Sequence, residues 1–324
     1  MKFFWISVLF TLPTLVISCG EKEGDQVEQA KSLVVLPSSP IPENFAQDFS
    51  GEKALLHIRA LTEFGPRPPE SDGYRNSLIY LEETLGKFGW KTSRQSFRSA
   101  TPIGQVGFTN LIARFSPKSD VDWENSVPFV IGSHLDTKRF ISITFLGVND
   151  SGSSTGVLVE MARVLSAYPK AAKQIELVFF DGEEAMLTNI DPKRDGLYGS
   201  RYYAAELTRR KSKPYVGMVL DLVGDVRVPL LVGLDSPKLL KQHALVAAKS
   251  LGMDQETVQP ARIPIIDDHI PLLNRANLQT LHLIGDFNRM PYWHTENDTL
   301  EQISAEGLSN SGKLTFKVLS QISK

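Results

Sequence analysis

Apolar residues along the chain switch repeatedly between helical spacing and unbroken or alternating runs, and the switches lay out a series of helices and strands. Leu55, Leu56, Ile58, Leu61 and Phe64 share one face of a helix that Gly65 and Pro66 close, and Leu78, Ile79, Leu81, Leu85 and Phe88 share a face of a second that ends near Gly89. Strand-like runs cover 90–97, 109–115 and 127–132. From 152 to 168 the residues Val157, Leu158, Met161, Val164 and Leu165 return to helical spacing, and 175–180 is apolar throughout except for Glu176, so the two make a strand, helix, strand unit. Further strands are expected at 216–222, 228–232 and 280–284, and helices at 237–250, 270–276 and 305–323. Alternation of this kind predicts an α/β fold of three layers, with a mixed, centrally parallel twisted sheet flanked by helices on both faces.

The N-terminus stands apart. Lys2 precedes the apolar stretch from Phe3 to Ile17, with Ser18 and Cys19 behind it, which is the layout of an export signal and too short for a permanent membrane span. Val16-Ile17-Ser18-Cys19 resembles the lipobox of bacterial lipoproteins, which makes Cys19 the expected lipidation site. The polar, Pro- and Ser-containing residues behind it suit a flexible tether. The predicted organisation is a signal peptide over 1–18, a lipidated tether over 19–42 and one catalytic domain over 43–324, exported and lipid-anchored in the bacterial cell envelope as a monomer.

Composition narrows the class. The roughly 280 residues left form one large core. A formal net charge of −2 offers no basic field for nucleic acid. Cys19 is the only cysteine, so neither a disulfide nor a cysteine-ligated metal site is available to the folded domain.

Chemistry-bearing residues sit where strands end. Asp150 follows a strand-and-loop region and directly precedes Ser151-Gly152, where a helix is expected to begin; helix capping competes with a ligand role for it. Glu183 and Glu184 follow the most apolar strand, and two adjacent glutamates there are costly unless something neutralises them; a metal does, with one ligating and the other shuttling a proton. Asp221 ends another apolar run, Asp267-Asp268-His269 opens a helix after 263–266, and capping explains one of those two aspartates but not both. His134 and Asp136 follow the strand at 127–132 and are either further ligands or structural. His294 stands in an aromatic loop beside Trp293. In an open parallel sheet such strand ends share one crevice, and Asp, Glu and His converging there make a Zn²⁺ site. The basic run Arg209-Arg210-Lys211 with Lys213 reads as a solvated helix end, and Tyr198-Gly199-Ser200-Arg201 as a structural helix start.

GSHLD, NDSG, FFDGEE, LYGSR, LDLVG, DDHIPLL, HLI and YWHT occur in the order seen in the zinc-dependent glutaminyl-peptide cyclotransferases of animals and bacteria, from about Asn44 to the C-terminus. The chain resembles that family, which is similar in fold to the zinc aminopeptidases but uses a single zinc ion and no water nucleophile. The resemblance implies Asp150, Glu184 and His294 as zinc ligands, Glu183 as general base and then acid, and Asp221 and Asp267 beside it in an acid network. It also implies two substrate-binding residues, His282 in that same surrounding and Trp293 as a pocket wall for the aliphatic part of the substrate. The implied substrate is a peptide with N-terminal glutamine, closed to pyroglutamate with loss of ammonia. Two departures stand out. Met186 to Asn189 replaces a family tryptophan, so one pocket wall is rebuilt, and the loop before Trp293 leaves open whether Phe287 or Tyr292 meets the substrate. The main alternative is a dinuclear zinc aminopeptidase in which His134 and Asp221 bind a second ion; a catalytically dead binding lipoprotein is disfavoured by the retained acidic cluster.

Overall fold

The computed structural model describes residues 41–42 and 44–323. The signal peptide, Cys19 and almost all of the tether lie outside the described residues. In chain order the elements are α1 (Phe45–Asp48), α2 (Gly51–Glu63), α3 (Asp72–Lys87), β1 (Trp90–Thr101), β2 (Gly104–Phe115), β3 (Phe129–His134), α4 (Ser154–Ser166), α5 (Pro169–Ala172) and β4 (Ile175–Phe180). Then come α6 (Tyr198–Leu207), β5 (Val216–Asp221), β6 (Leu230–Val232), α7 (Lys238–Ser250), β7 (Val258–Pro260), α8 (His269–Asn274), β8 (Gln279–Gly285) and α9 (Ala305–Ile322).

The strands form one eight-stranded sheet in the order β1-β2-β4-β3-β5-β8-β6-β7. Its centre, β4-β3-β5-β8, is parallel, and antiparallel pairs flank it at β2-β4 and β8-β6. Successive side chains of a strand face opposite ways, and here the two faces feed two cores. Phe129, Ile131, Leu177, Phe179, Met218 and Leu220 pack with apolar residues of α2, α4 and α9. Val130, Val178, Phe180 and Val219 pack instead with Tyr203, Ala204 and Leu207 of α6 and Leu272 of α8. That double burial explains why β4 has no outward polar face.

Glu176 is the exception in β4, and it is fully buried. Arg114 Nε donates to it at 2.5 Å, Arg210 Nη1 reaches both its oxygens at 2.9 and 3.0 Å, and the Tyr203 hydroxyl donates as well. The solvated-helix-end reading of Arg210 is therefore corrected. Its guanidinium is turned inward because a carboxylate in the centre of a sheet must be neutralised. Arg209 and Lys211 do point outward, pairing with Glu206 and Glu124 at the surface.

The hairpin of β1 and β2 runs longer than expected, with pairing from Trp90 opposite Phe115 to Thr101 opposite Gly104. Asp150 does not begin α4 directly: a wide helical turn over Val148–Ser153 precedes the helix, and Asp150 has non-helical φ and ψ of −103° and 86°. The described residues belong to one compact unit.

Candidate active site

The carboxyl ends of β3, β4, β5 and β8 open on the same side of the sheet, and each delivers part of one site. His134 ends β3, Glu183 and Glu184 follow β4, Asp221 ends β5, and the loop after β8 leads to Trp293 and His294.

Two backbone turns aim these side chains. Gly147 is left-handed (φ 54°), and a Cβ there would stand 2.0 Å from the Asp150 carbonyl oxygen, so only glycine lets the chain fold back onto Asp150. The Asp298 carboxylate then accepts from the backbone N–H groups of Asn149 (2.7 Å) and Asp150 (3.1 Å). Gly182 (φ 68°) makes the equivalent turn before Glu183, with a Cβ excluded by the Phe108 ring at 2.4 Å. Asp136 holds that second turn: its two oxygens accept from the N–H groups of Glu183 and Glu184, each at 3.2 Å. Arg67, fully buried, ties the loops together by donating to the carbonyls of Leu135, Leu146 and Gly147 at 3.0, 2.8 and 2.9 Å.

Asp150, Glu184 and His294 meet. His294 Nε2 lies 3.0 Å from Glu184 Oε1 and 3.3 Å from Asp150 Oδ2, and one ligating atom from each residue falls within 4.8 Å of the others. Asp150 is not a helix cap. Its Oδ2 also accepts from Trp293 Nε1 at 3.0 Å, and its Oδ1 is 3.2 Å from His134 Nε2. His134 is in turn 3.1 Å from Asp221 Oδ1, so His134, Asp150 and Asp221 form a second cluster of metal-ligating groups that shares Asp150 with the first.

The electrostatics fit a cation. Glu184 and Asp150, working against burial, push His294 up to about 10, and hydrogen bonds from His134 and His294 hold Asp150 far below the usual carboxylate range despite burial. In effect two buried acids draw a proton onto an imidazole that would otherwise be neutral. Two carboxylate oxygens and one imidazole nitrogen around a common point are a donor set suited to Zn²⁺.

Beside this set burial drives Glu183 well above the ordinary glutamate range, with His134 opposing and Glu184, Asp267 and Asp268 adding to it. Burial likewise pushes Asp221 up to about 7. Asp267 goes the other way, to about 2, because His282, at 2.6 Å from its Oδ2, outweighs burial. The three neighbouring carboxyls Glu183, Asp221 and Asp267 thus divide between proton-holding and ionised members.

A cavity of about 290 Å³ opens over the site, with Asp150, Glu183, Glu184, Asp221, Asp267, Trp293 and His294 all on its wall. His282 is corrected from the substrate-binding assignment: it is fully buried behind Asp267, stacked on His269 at 3.9 Å between ring centroids, and does not reach the cavity. Neither Asp267 nor Asp268 caps α8 through its side chain. Phe287 rather than Tyr292 meets the cavity, tilted on Trp293 at 4.8 Å; the Tyr292 hydroxyl is committed to Asp225 and Asn149. Thr188, Asn189 and Ile190 supply the wall where Met186 to Asn189 departs from the family pattern.

Sequence reasoning missed Arg67, Lys138 and Asp298. Arg67 lies between prolines, where nothing in the local pattern signals burial. Asp298 is four residues beyond His294 and Lys138 two beyond Asp136, each just past the end of a motif read for other members.

An α/β sheet with a carboxylate-rich metal-binding constellation at its strand ends defines a metalloexopeptidase-like hydrolase or transferase. Peptidase family M28 matches residues 110–319, and the chain belongs to that family and, within it, to the glutaminyl-peptide cyclotransferases. Its relatives include the glutaminyl-peptide cyclotransferase of Gloydius blomhoffii, 30% identical with 78% of this chain and 76% of that protein aligned. Among solved structures it is similar to the Acidobacteriales bacterium glutaminyl cyclase (28% identity, TM-score 0.74, covering 89% of this chain and 97% of the other). The Porphyromonas gingivalis enzyme is similar at 25% identity and a TM-score of 0.73, covering 84% and 98%.

Proposed function

We propose that this chain is a zinc-dependent glutaminyl-peptide cyclotransferase that closes N-terminal glutamine of peptides and proteins to pyroglutamate and releases ammonia. The observation that carries the reading is the convergence of Asp150, Glu184 and His294 next to Glu183 on the wall of a single cavity.

Those three residues would hold one zinc ion per chain. When bound, the ion would supply Lewis acidity toward the γ-carbonyl of glutamine. Glu183 takes a proton from the α-amine as that nitrogen bonds to the γ-carbonyl carbon, and returns it to the side-chain amide nitrogen as the carbon–nitrogen bond breaks. One proton moves, one C–N bond forms and one breaks, and ammonia leaves. Asp221 and Asp267 set the proton affinity around Glu183, since clustered carboxyls cannot all ionise. His282 acts through Asp267. Trp293 orients Asp150 through its indole N–H and, with Phe287, walls the aliphatic part of glutamine, so that amine and carbonyl are held within reach of each other.

The two-ion aminopeptidase reading keeps one specific support, the His134, Asp150 and Asp221 cluster. Metal analysis and a Gln-initiated dipeptide separate the two: one zinc per chain with ammonia and pyroglutamyl product is expected, whereas two ions with free glutamine establish the peptidase. Chelation removes activity and added Zn²⁺ restores it. The same proposal places the protein, as a monomer, in the bacterial cell envelope through a lipid on Cys19. Palmitate labelling of the wild type and its loss in Cys19→Ala test the anchor, and an unlabelled wild type refutes it.

A further inference from the structure

We propose that Lys138 is a positioning residue that keeps Glu184 a one-oxygen metal ligand and thereby keeps the substrate's coordination position open. Lys138 is buried in the loop after β3, on the cavity wall. Its Nζ donates to Glu184 Oε2 at 3.3 Å and to the Ala185 carbonyl at 3.0 Å. The other oxygen, Oε1, faces His294 Nε2 at 3.0 Å. The two oxygens of one carboxylate are therefore assigned to different partners, a cation on one side and the ligand cluster on the other. A glutamate without such a restraint binds a metal through one oxygen or through both. At a zinc site with three protein ligands, a second oxygen from Glu184 fills the place that a catalytic zinc keeps free for substrate. A buried ammonium beside the cluster also opposes metal binding through its charge, so the protein retains it at the expense of affinity.

This inference rests on the zinc reading, and Co²⁺ in place of Zn²⁺ tests both separately. Four-coordinate Co²⁺ absorbs several-fold more strongly in the visible than five-coordinate Co²⁺. In Lys138→Met the strong band should weaken toward the five-coordinate form. Zn²⁺ affinity by chelator competition should stay equal or tighten, and kcat/KM should fall about 10–100-fold. Lys138→Arg, which keeps a cationic donor, should retain the wild-type spectrum. Lys138→Leu, shorter and without a donor, gives the same readout as methionine should the methionine variant not fold. A wild-type spectrum in Lys138→Met or Lys138→Leu overturns the inference, as does weakened Zn²⁺ binding, which marks mere structural support. A wild-type protein that takes up no Co²⁺ overturns the zinc reading itself.

Discussion

Replacing Glu183 by glutamine isolates proton transfer from everything else the site does. The two side chains are nearly isosteric, and Glu183 is only 6% exposed, so packing around it is conserved. Its carboxylate is not among the three groups whose ligating atoms converge, so metal uptake by Glu183→Gln should stay within about threefold of wild type. What disappears is the carboxylate proposed to accept and return the migrating proton. General acid–base catalysis contributes about 10²–10⁴ in rate, roughly 3–5 kcal/mol of barrier, and kcat should fall by that factor while KM changes little.

A stability measurement adds an independent check on the same residue. The folded pKa of Glu183 is raised above its usual value by burial and by Glu184, Asp267 and Asp268, so the folded state prefers the protonated form. For metal-free protein its favourable contribution is present at low pH and is lost as pH climbs through the raised value. Glutamine carries no such penalty. Metal-free Glu183→Gln should therefore be at least as stable as wild type at pH 8, with the gap closing toward pH 5, followed by urea unfolding. Ammonia-release kinetics on a Gln-initiated dipeptide complete the test. Turnover within about tenfold of wild type, in a variant shown to hold its metal, refutes the proton-shuttle role.

Arg210→Met leaves the buried Glu176 carboxylate with Arg114 and Tyr203 alone, and should cost about 3 kcal/mol in urea unfolding without changing kcat of the folded fraction; a loss under about 1 kcal/mol contradicts the inward pairing. Asp298→Ala removes the acceptor for the Asn149 and Asp150 N–H groups and should destabilise by about 1–3 kcal/mol while weakening Zn²⁺ binding in chelator competition; unchanged metal affinity shows that the turn keeps Asp150 in place without it. His57, against Tyr80 at 2.7 Å, is lowered from 6.5 to about 4 by burial and then Arg163, so its contribution is complete above pH 6.5 and is lost as pH falls toward 4. His57→Gln should flatten the pH dependence of urea unfolding across that window by up to about 1.4 kcal/mol per pH unit, and an unchanged slope counts against the assignment.

How much of this was legible in the chain depended on which force shaped each segment. The span of β4 was readable to the residue, because a strand buried on both faces has to be apolar from end to end. The outer half of the β1–β2 hairpin was not, since Arg98 to Val106 carry little apolar signal there and their strand state is imposed by cross-strand pairing. The three-residue β7, α1 and α5 carry too few residues for a period to show. The acidic segments at Glu183, Asp221 and Asp267 were visible because each follows an apolar run, and the topology of the sheet then brings them together. What holds them in place was not visible. Arg67, Asp136 and Asp298 act through backbone N–H and carbonyl groups, which have no sequence identity of their own, so nothing local in the chain marks their partners. The run at 263–266 shows the opposite failure: Ile263 and Ile266 are exposed, and Ile265 and Ile266 line the cavity, a use of apolar residues that a core-seeking reading overlooks.

The pairing of the two ligand clusters through Asp150 carries a consequence for how one scaffold serves two chemistries. A hydrolase needs a water activated between ions or beside one; an intramolecular aminolysis needs the opposite, a site in which the substrate's own amine is the nearest nucleophile. In this protein His134 is fully enclosed and already lies against both Asp150 and Asp221, while Asp221 is raised to about 7 by burial and so holds its proton far more readily than an ordinary aspartate. Of those groups His134 alone is shut away, while Asp150 and Asp221 line the same cavity as Glu184 and His294. The two clusters therefore differ in their histidines: His134 of the first is enclosed, and His294 of the second borders the cavity. On the one-zinc reading proposed above, the shift from cleaving a peptide bond to closing a ring requires no new ligand, only that His134 stay bound to Asp150 and Asp221 rather than to a second ion.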